Sequence, residues 1–422
     1  MTSLLWGLFS MPIILVIVCA EPNCMTHNDL QNNMICSPGS SDYILERGLV
    51  SDNNRTIGIS LKACRIIDIN KESFHSLSSL EDLDLSLNSI SNLRLEIFDG
   101  APKLMSLNLS YNLLTAIPLG FFNQTPNIEL LDLRGNKINI LEEGFLDPLK
   151  KLKHLDLASN LLIGKQLSPY IFNINRHIKF IDFSRNEMSD TSELLTHAFQ
   201  EMNILNLDRC FLTGLPNFAL RHNMRTMKQL IMSTNQINNL DNSTAFVNLD
   251  NLEILNLAHN KIDSIVGNIF VPLKKVKIIV LRNNKLKSIP DNLFRDLPEL
   301  ANLDLSHNLI DFIPVNAFRG APLKNLNLSD NKFTYLTDNF CLELRNSGGK
   351  LKKIFFNDNP WQCACLFDFL AEVKRMGISY NAVKYNGKTQ VCVTEQFSCQ
   401  RQQNVNAMYV KLYNNLINHK QQ

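Results

Sequence analysis

Four cysteines near the C-terminal end come closest to a chemical motif: Cys363 and Cys365 within NPWQCAC (Asn359 to Cys365), then Cys392 and Cys399. Thiols grouped in this way hold a zinc ion, run redox chemistry or close a structural cap. Zinc ligands are usually spaced C-x₂₋₄-C and the redox motif is C-x-x-C, so the C-x-C found here fits a disulfide cap better. Catalysis finds little other support. The nine His include His259 and His307, yet no HExxH, GxSxG, phosphate loop or paired-carboxylate motif accompanies them, and solvated strand positions explain both. The sequence therefore predicts a non-enzyme with no metal and no cofactor.

The elements that must position these cysteines are repeats. LEDLDLSLNSI, Leu80 to Ile90, recurs as LMSLNLSYNLL, LKHLDLASNLL, LEILNLAHNKI, LANLDLSHNLI and LKNLNLSDNKF. This is the leucine-rich repeat consensus LxxLxLxxN/CxL. Its Asn or Cys falls at Cys64, Asn88, Asn112, Asn136, Asn160, Asn186, Cys210, Asn235, Asn260, Asn284, Asn308, Asn331 and Asn359, with gaps of 23 to 28 residues. The expected fold is α/β: a leucine-rich repeat solenoid curved into a horseshoe. A parallel β-sheet lines its concave face, irregular loops and short helices form its convex face, and disulfide caps close both ends.

Stacking explains each consensus position. The leucines of LxL point inward from a short strand, and the Asn amide pairs with backbone groups of neighbouring coils that burial would otherwise leave unpaired. Phe74, Phe98, Phe122, Phe270, Phe294 and Phe318 follow the ladder position and are predicted to fill the core beneath the convex side. A single coil cannot bury its apolar face, so the ends need caps.

The apolar run Leu4 to Val18, broken by Gly7, Ser10 and Pro12, reads as a secretory signal peptide over residues 1–20. No later run is long enough to span a bilayer, and the tail LYNNLINHKQQ has no lipid-anchor end. The expectation is a soluble, extracellular protein in which cysteines can pair. A net charge of +2 on 422 residues favours neither nucleic acid nor membrane surfaces. The domains expected are a signal peptide (1–20), an N-terminal cysteine cap (21–56), repeats (57–358), a C-terminal cysteine cap (359–400) and a tail (401–422).

Cys24 and Cys36 precede the first repeat and are expected to pair in the N-terminal cap. Cys64 and Cys210 replace the ladder Asn and read as buried, inert thiols. Cys341 lies outside the ladder; it is either a buried convex-side thiol or an accessible one that links to a partner chain. In the tail, Met408, Leu412 and Leu416 share i, i+4, i+8 spacing, which lets them dock a partner or cover the open end of the cap.

The repeat series ending in NPWQCAC and two spaced cysteines resembles the extracellular leucine-rich repeat family with cysteine-rich flanks, which includes Toll-type receptor ectodomains. It is also similar to soluble arthropod haemolymph proteins such as leureptin. The resemblance implies pairing of Cys363 with Cys392 and of Cys365 with Cys399. It departs from the receptors in showing no transmembrane segment or intracellular signalling domain, and its N-terminal cap has two cysteines plus Cys64 where the family often has four.

Horseshoes of this kind bind through the concave sheet, so outward positions can be read as columns of the register. Leu130, Phe180, Ile204, Ile231, Ile254, Ile278 and Val280 form an apolar area on the middle coils, and Arg134, Arg185, Arg209, His259 and Arg282 supply basic groups beside it. That combination suits a ligand with anionic groups on an apolar body; alternatively, the arginines pair with Asp132, Asp182 and Asp208. Glycosylation sequons stand at Asn54, Asn108, Asn123, Asn242 and Asn327. Through the resemblance, the expected function is pattern recognition in innate immunity, with a microbial surface component such as lipopolysaccharide as ligand. The alternative is an extracellular adhesion or matrix module that binds a protein partner.

Overall fold

The computed structural model describes residues 23–26, 32–47, 53–385, 391–393 and 397–418. The expected signal peptide lies outside the described residues. One fifteen-stranded sheet runs the length of the molecule. It opens with the antiparallel pair β1 (Asn23–Thr26) and β2 (Asn33–Ser37) and continues in parallel through β3 (Gly58–Ser60), β4 (Asp82–Asp84) and β5 (Ser106–Asn108). Next come β6 (Leu130–Asp132), β7 (His154–Asp156), β8 (Phe180–Asp182), β9 (Ile204–Asn206) and β10 (Gln229–Ile231). The sheet ends with β11 (Ile254–Asn256), β12 (Ile278–Val280), β13 (Asn302–Asp304), β14 (Asn325–Asn327) and β15 (Lys353–Phe355). The repeat strands are three residues long: the central leucine or isoleucine is buried and its two neighbours face outward. This is a parallel solenoid of the leucine-rich repeat type. Its convex side is made largely of turns and short 3-10 segments, and among the described residues the α-helices lie towards the C-terminal end.

Every ladder Asn is buried. Asn112 is typical: its Nδ2 donates to Leu85 O and Leu109 O, each at 3.0 Å, and its Oδ1 accepts from Ile90 N, also at 3.0 Å. The amide thus joins its own coil to the one before. Cys210 can donate weakly, to Phe183 O at 3.2 Å, but has no amide oxygen to offer in return. The backbone fills that gap, with Met188 N donating to Cys210 O at 3.0 Å. On the convex side Phe246, Phe270, Phe294 and Phe318 stack in series with centroids 5.7–5.9 Å apart, so aromatic contact runs from coil to coil.

Both ends are closed by disulfides. Cys24 pairs with Cys36 across the antiparallel hairpin, which shields the sheet edge. The other end carries α1 (Phe340–Asn346), α2 (Cys363–Arg375) and α3 (Asn406–Asn418), and there Trp361 packs on Phe333, Phe356 and, from α2, Phe369. The Trp361 indole donates to Phe356 O at 2.9 Å, so the only polar atom of a buried side chain is satisfied. The cap bridges are Cys363–Cys392 and Cys365–Cys399.

At two places the sequence leaves alternatives open, and for Cys341 the buried convex-side reading is the one found. Cys341 is 1 % exposed, on the inner side of α1, so its thiol cannot reach a partner chain. In the tail helix the buried positions are Asn406 and Tyr409, whereas Met408 is 44 % exposed. Thr334 Oγ1 and Asn406 Oδ1, 2.5 Å apart, fix the start of α3, and the tyrosine ring outcompetes the methionine for the cap.

Candidate concave binding surface

Parallel register turns scattered sequence positions into two continuous columns. The first runs Leu130, His154, Phe180, Ile204, Gln229, Ile254, Ile278, each residue directly beside the next. The second runs Asp132, Asp156, Asp182, Asn206, Ile231, Asn256, Val280 on the same strands. Neighbouring strands lie about 4.8 Å apart, so side chains within a column touch. Leu130 is 46 % exposed, and the other six apolar residues expected here are half-buried by one another while keeping an outward edge. Gln229 interrupts the first column, and Ile231, two residues along the same strand, carries apolar surface past it.

The sequence reading missed His154 as part of this surface. Its ring stacks on Phe180 with centroids 3.9 Å apart and planes 8° from parallel. Burial holds the imidazole pKa below its ordinary value, with neighbouring Arg134 adding to the effect while Asp132 and Asp182 oppose it.

Beside the apolar column stand three carboxylates in successive coils, Asp132, Asp156 and Asp182. The Oδ1 of each accepts a backbone N–H two residues on, from Arg134 at 3.0 Å, Ala158 at 2.9 Å and Ser184 at 2.7 Å. Burial pushes Asp156 up to about 6, and repulsion from Asp132 and Asp182 adds to the shift. Burial also raises Asp132. Three aspartates in one column of the register were visible in the sequence as spacing; their common burial was not.

The basic residues separate into different roles. Arg134 is held by Asp132 and Asp156, and Arg209 Nε lies 3.7 Å from Asp208. Asp182 is not an arginine partner: it accepts from Asn206 Nδ2 at 2.7 Å. Arg282 approaches His307 at 3.4 Å and His259 approaches Asn283 at 2.6 Å. Arg185 is exposed and has no side-chain partner among the described residues. Arg185, Arg209 and His259 all have φ between 55° and 58°, the left-handed turn in which each coil leaves the sheet. They therefore stand on the rim, outside the three-residue strands that carry the apolar columns.

The N-terminal coils hold a separate groove of about 460 Å³ on the same sheet, lined by Met34, Ile35, Ile59 and Leu83 among others. It escaped the sequence columns because the cap that builds one wall lies outside the repeat register. Of the sequons, Asn54, Asn123 and Asn242 are exposed, while Asn108 and Asn327 are half-buried at the ends of β5 and β14. Among the described residues no three His, Cys, Asp or Glu side chains are grouped to hold a metal ion, and no helix is long and apolar enough to cross a membrane.

Comparison with known proteins supports the same fold. A leucine rich repeat family model matches residues 59–114, 102–162, 241–284 and 274–333. No curated protein sequence matches. Among solved structures, the leucine-rich repeat domain of APL1 superposes with a TM-score of 0.61 at 19 % identity, over 84 % of this chain and 89 % of that one. A leucine-rich repeat protein of Leptospira interrogans gives 0.55 at 20 % identity, over 78 % and 90 %. The structure of the Drosophila Toll–Spätzle complex gives 0.58 at 18 % identity, over 80 % of this chain and 52 % of the matched chain. At such identities these likenesses concern the fold alone.

Proposed function

We propose that this leucine-rich repeat protein is a secreted, non-catalytic recognition protein whose middle concave coils bind an extracellular protein ligand. The observation that carries the reading is the registered strip from Leu130 to Val280, seven apolar side chains with outward edges on one rigid sheet. Apolar surface left in one contiguous band is a feature of interaction sites. The strip lies on an open sheet, and Arg134 already pairs with Asp132 and Asp156 beside it, so it suits a partner whose contact is made chiefly by apolar side chains. Toll, a structural neighbour, is described in complex with Spätzle, which gives a parallel for gripping a protein on this fold.

The test pairs binding with stability. Ile204→Asp, Ile254→Asp and Ile278→Asp are expected to abolish binding to a ligand found by screening the secreted protein against extracellular proteins, with little change in the unfolding midpoint. Ligands that bind all three variants as well as the parent rule the concave strip out.

A second reading is recognition of a microbial surface component such as lipopolysaccharide in innate immunity, in the manner of the soluble haemolymph proteins. Arg185, unpaired on the rim, and Arg282, beside Val280, favour it. Salt-sensitive binding of purified protein to lipopolysaccharide, lost on changing Arg185, Arg209 and Arg282 to Glu, supports this reading. Binding unaffected by those changes removes it.

A further inference from the structure

Asn108 and Asn327 occupy the same column of the sheet, the one that carries Asp132, Asp156 and Asp182, near its two ends. In each, Oδ1 is anchored by the backbone N–H two residues on, Ser110 at 3.0 Å and Ser329 at 3.1 Å. That bond fixes the side-chain rotamer and leaves Nδ2 without a partner among the described residues, on a half-buried side chain at the outward face of its strand. Asn206, in the same column but outside any sequon, spends its Nδ2 on Asp182 at 2.7 Å. Both anchored amides lie in N-x-S sequons, Asn108-Leu109-Ser110 and Asn327-Leu328-Ser329.

We infer that Asn108 and Asn327 carry N-linked glycans that rise from the concave sheet and bracket the ligand footprint to the eight strands between them, β6 to β13. At about 4.8 Å per strand, the nine steps from β5 to β14 separate the two sugars by roughly 43 Å measured along the sheet. Asn108 also forms one edge of the N-terminal groove, so a sugar there closes that groove to a macromolecular ligand. The chemistry is transfer of an oligosaccharide from a lipid-linked diphosphate donor. The bond from sugar C1 to the diphosphate oxygen breaks, its electron pair leaving on the diphosphate. A bond from C1 to Nδ2 forms, the amide gives up one proton, and nothing is oxidised or reduced. The inference rests on the extracellular reading but not on the identity of any ligand.

The test uses the full-length protein secreted from eukaryotic cells. Enzymatic deglycosylation in ¹⁸O water, read by mass spectrometry, is expected to mark both Asn108 and Asn327. Hydroxyl-radical footprinting is expected to show Ile35, in the groove that Asn108 edges, and Phe355, registered against Asn327, more than twofold protected relative to the variants Asn108→Asp and Asn327→Asp, with Ile254 unchanged. These variants retain the fold's own solution, because Asp84 and Asp304 stand in the same column and accept the same backbone bond from Ser86 and Ser306, each at 2.9 Å. Modification at one end only, at neither end, or at both ends without the footprint overturns the bracket. If Asn123 and Asn242, both exposed, are also unmodified, the extracellular reading fails with it; if they are modified, only the bracket fails.

Discussion

Arg134 clamps two carboxylates from successive coils, its guanidinium lying 2.7 Å from Asp132 Oδ2 and 3.5 Å from Asp156 Oδ2. The clamp lets two aspartates stand side by side, but burial above all, and then the charges of Asp132 and Asp182, still favour the protonated form of Asp156. Its folded pKa of about 6 lies above the ordinary 3.8, so the folded state binds more protons than the unfolded state between those values. Stability contributed by this group is therefore present at low pH and lost as pH rises through about 6.

Asp156→Asn removes that dependence while keeping the backbone bond to Ala158, as Asn206 and Asn256 do in the same column. The variant is expected to gain roughly 1–3 kcal/mol over the parent at pH 7.5 and almost nothing at pH 4. Urea unfolding of both proteins at the two pH values checks it; an equal difference at each pH contradicts the titration assigned to Asp156.

Phe180→Ala opens one face of the His154 ring, which now lies 3.9 Å from the phenyl ring. Since burial is the largest cause of the lowered His154 pKa, the variant should move that pKa upward toward the ordinary histidine value. An NMR titration of the imidazole C–H signals gives the answer, and a pKa that stays put or falls shows that Phe180 is not the group desolvating it.

Asn235 serves five backbone groups, one of them Ser233 O at 3.0 Å. It donates to Leu207 O at 2.8 Å and Met232 O at 3.1 Å, and accepts from Cys210 N at 2.8 Å and Leu212 N at 3.0 Å. Asn235→Ala leaves Cys210 N, Leu212 N and Leu207 O unpaired in the core, while Met232 O keeps its bond from Asn260 Nδ2, and should cost about 3 kcal/mol or more. Cys210→Ala, by contrast, gives up only a weak thiol bond because Met188 already uses the Cys210 carbonyl, and should cost about 1–2 kcal/mol. Equal losses in the two variants, measured by denaturant unfolding, would falsify this division of labour.

Cys64, Cys210 and Cys341 are buried thiols whose pKa values burial raises, Cys210 to about 12. None should react with iodoacetamide before the protein unfolds. Non-reducing electrophoresis of the parent and Cys341→Ser should show the same monomer band. A labelled native Cys341, found by peptide mapping, is the result that contradicts the packing around α1.

Much of this protein was legible in its residues because a solenoid is local. A 23- to 28-residue spacing of Asn or Cys can bury its leucines only by stacking like coils, so strand positions, ladder amides and the phenylalanine spine follow from register alone. The seven apolar residues of the concave strip could be picked out for the same reason, since parallel pairing without slippage keeps each column intact.

Tertiary structure decided what spacing cannot carry. Strands only three residues long put Arg185, Arg209 and His259 into left-handed turns on the rim, although their distance from the ladder Asn matched that of an outward column. Whether an arginine is free or spent depends on which acids its neighbours place within reach, and so Arg134 is committed to two aspartates while Arg185 is not. The C-terminal cap breaks the repeat, and there competition for buried volume turned Tyr409 inward and left Met408 outside. Repetition fixes position along the sheet, but exposure and charge pairing are set by coils a full repeat away, and only the folded chain brings those together.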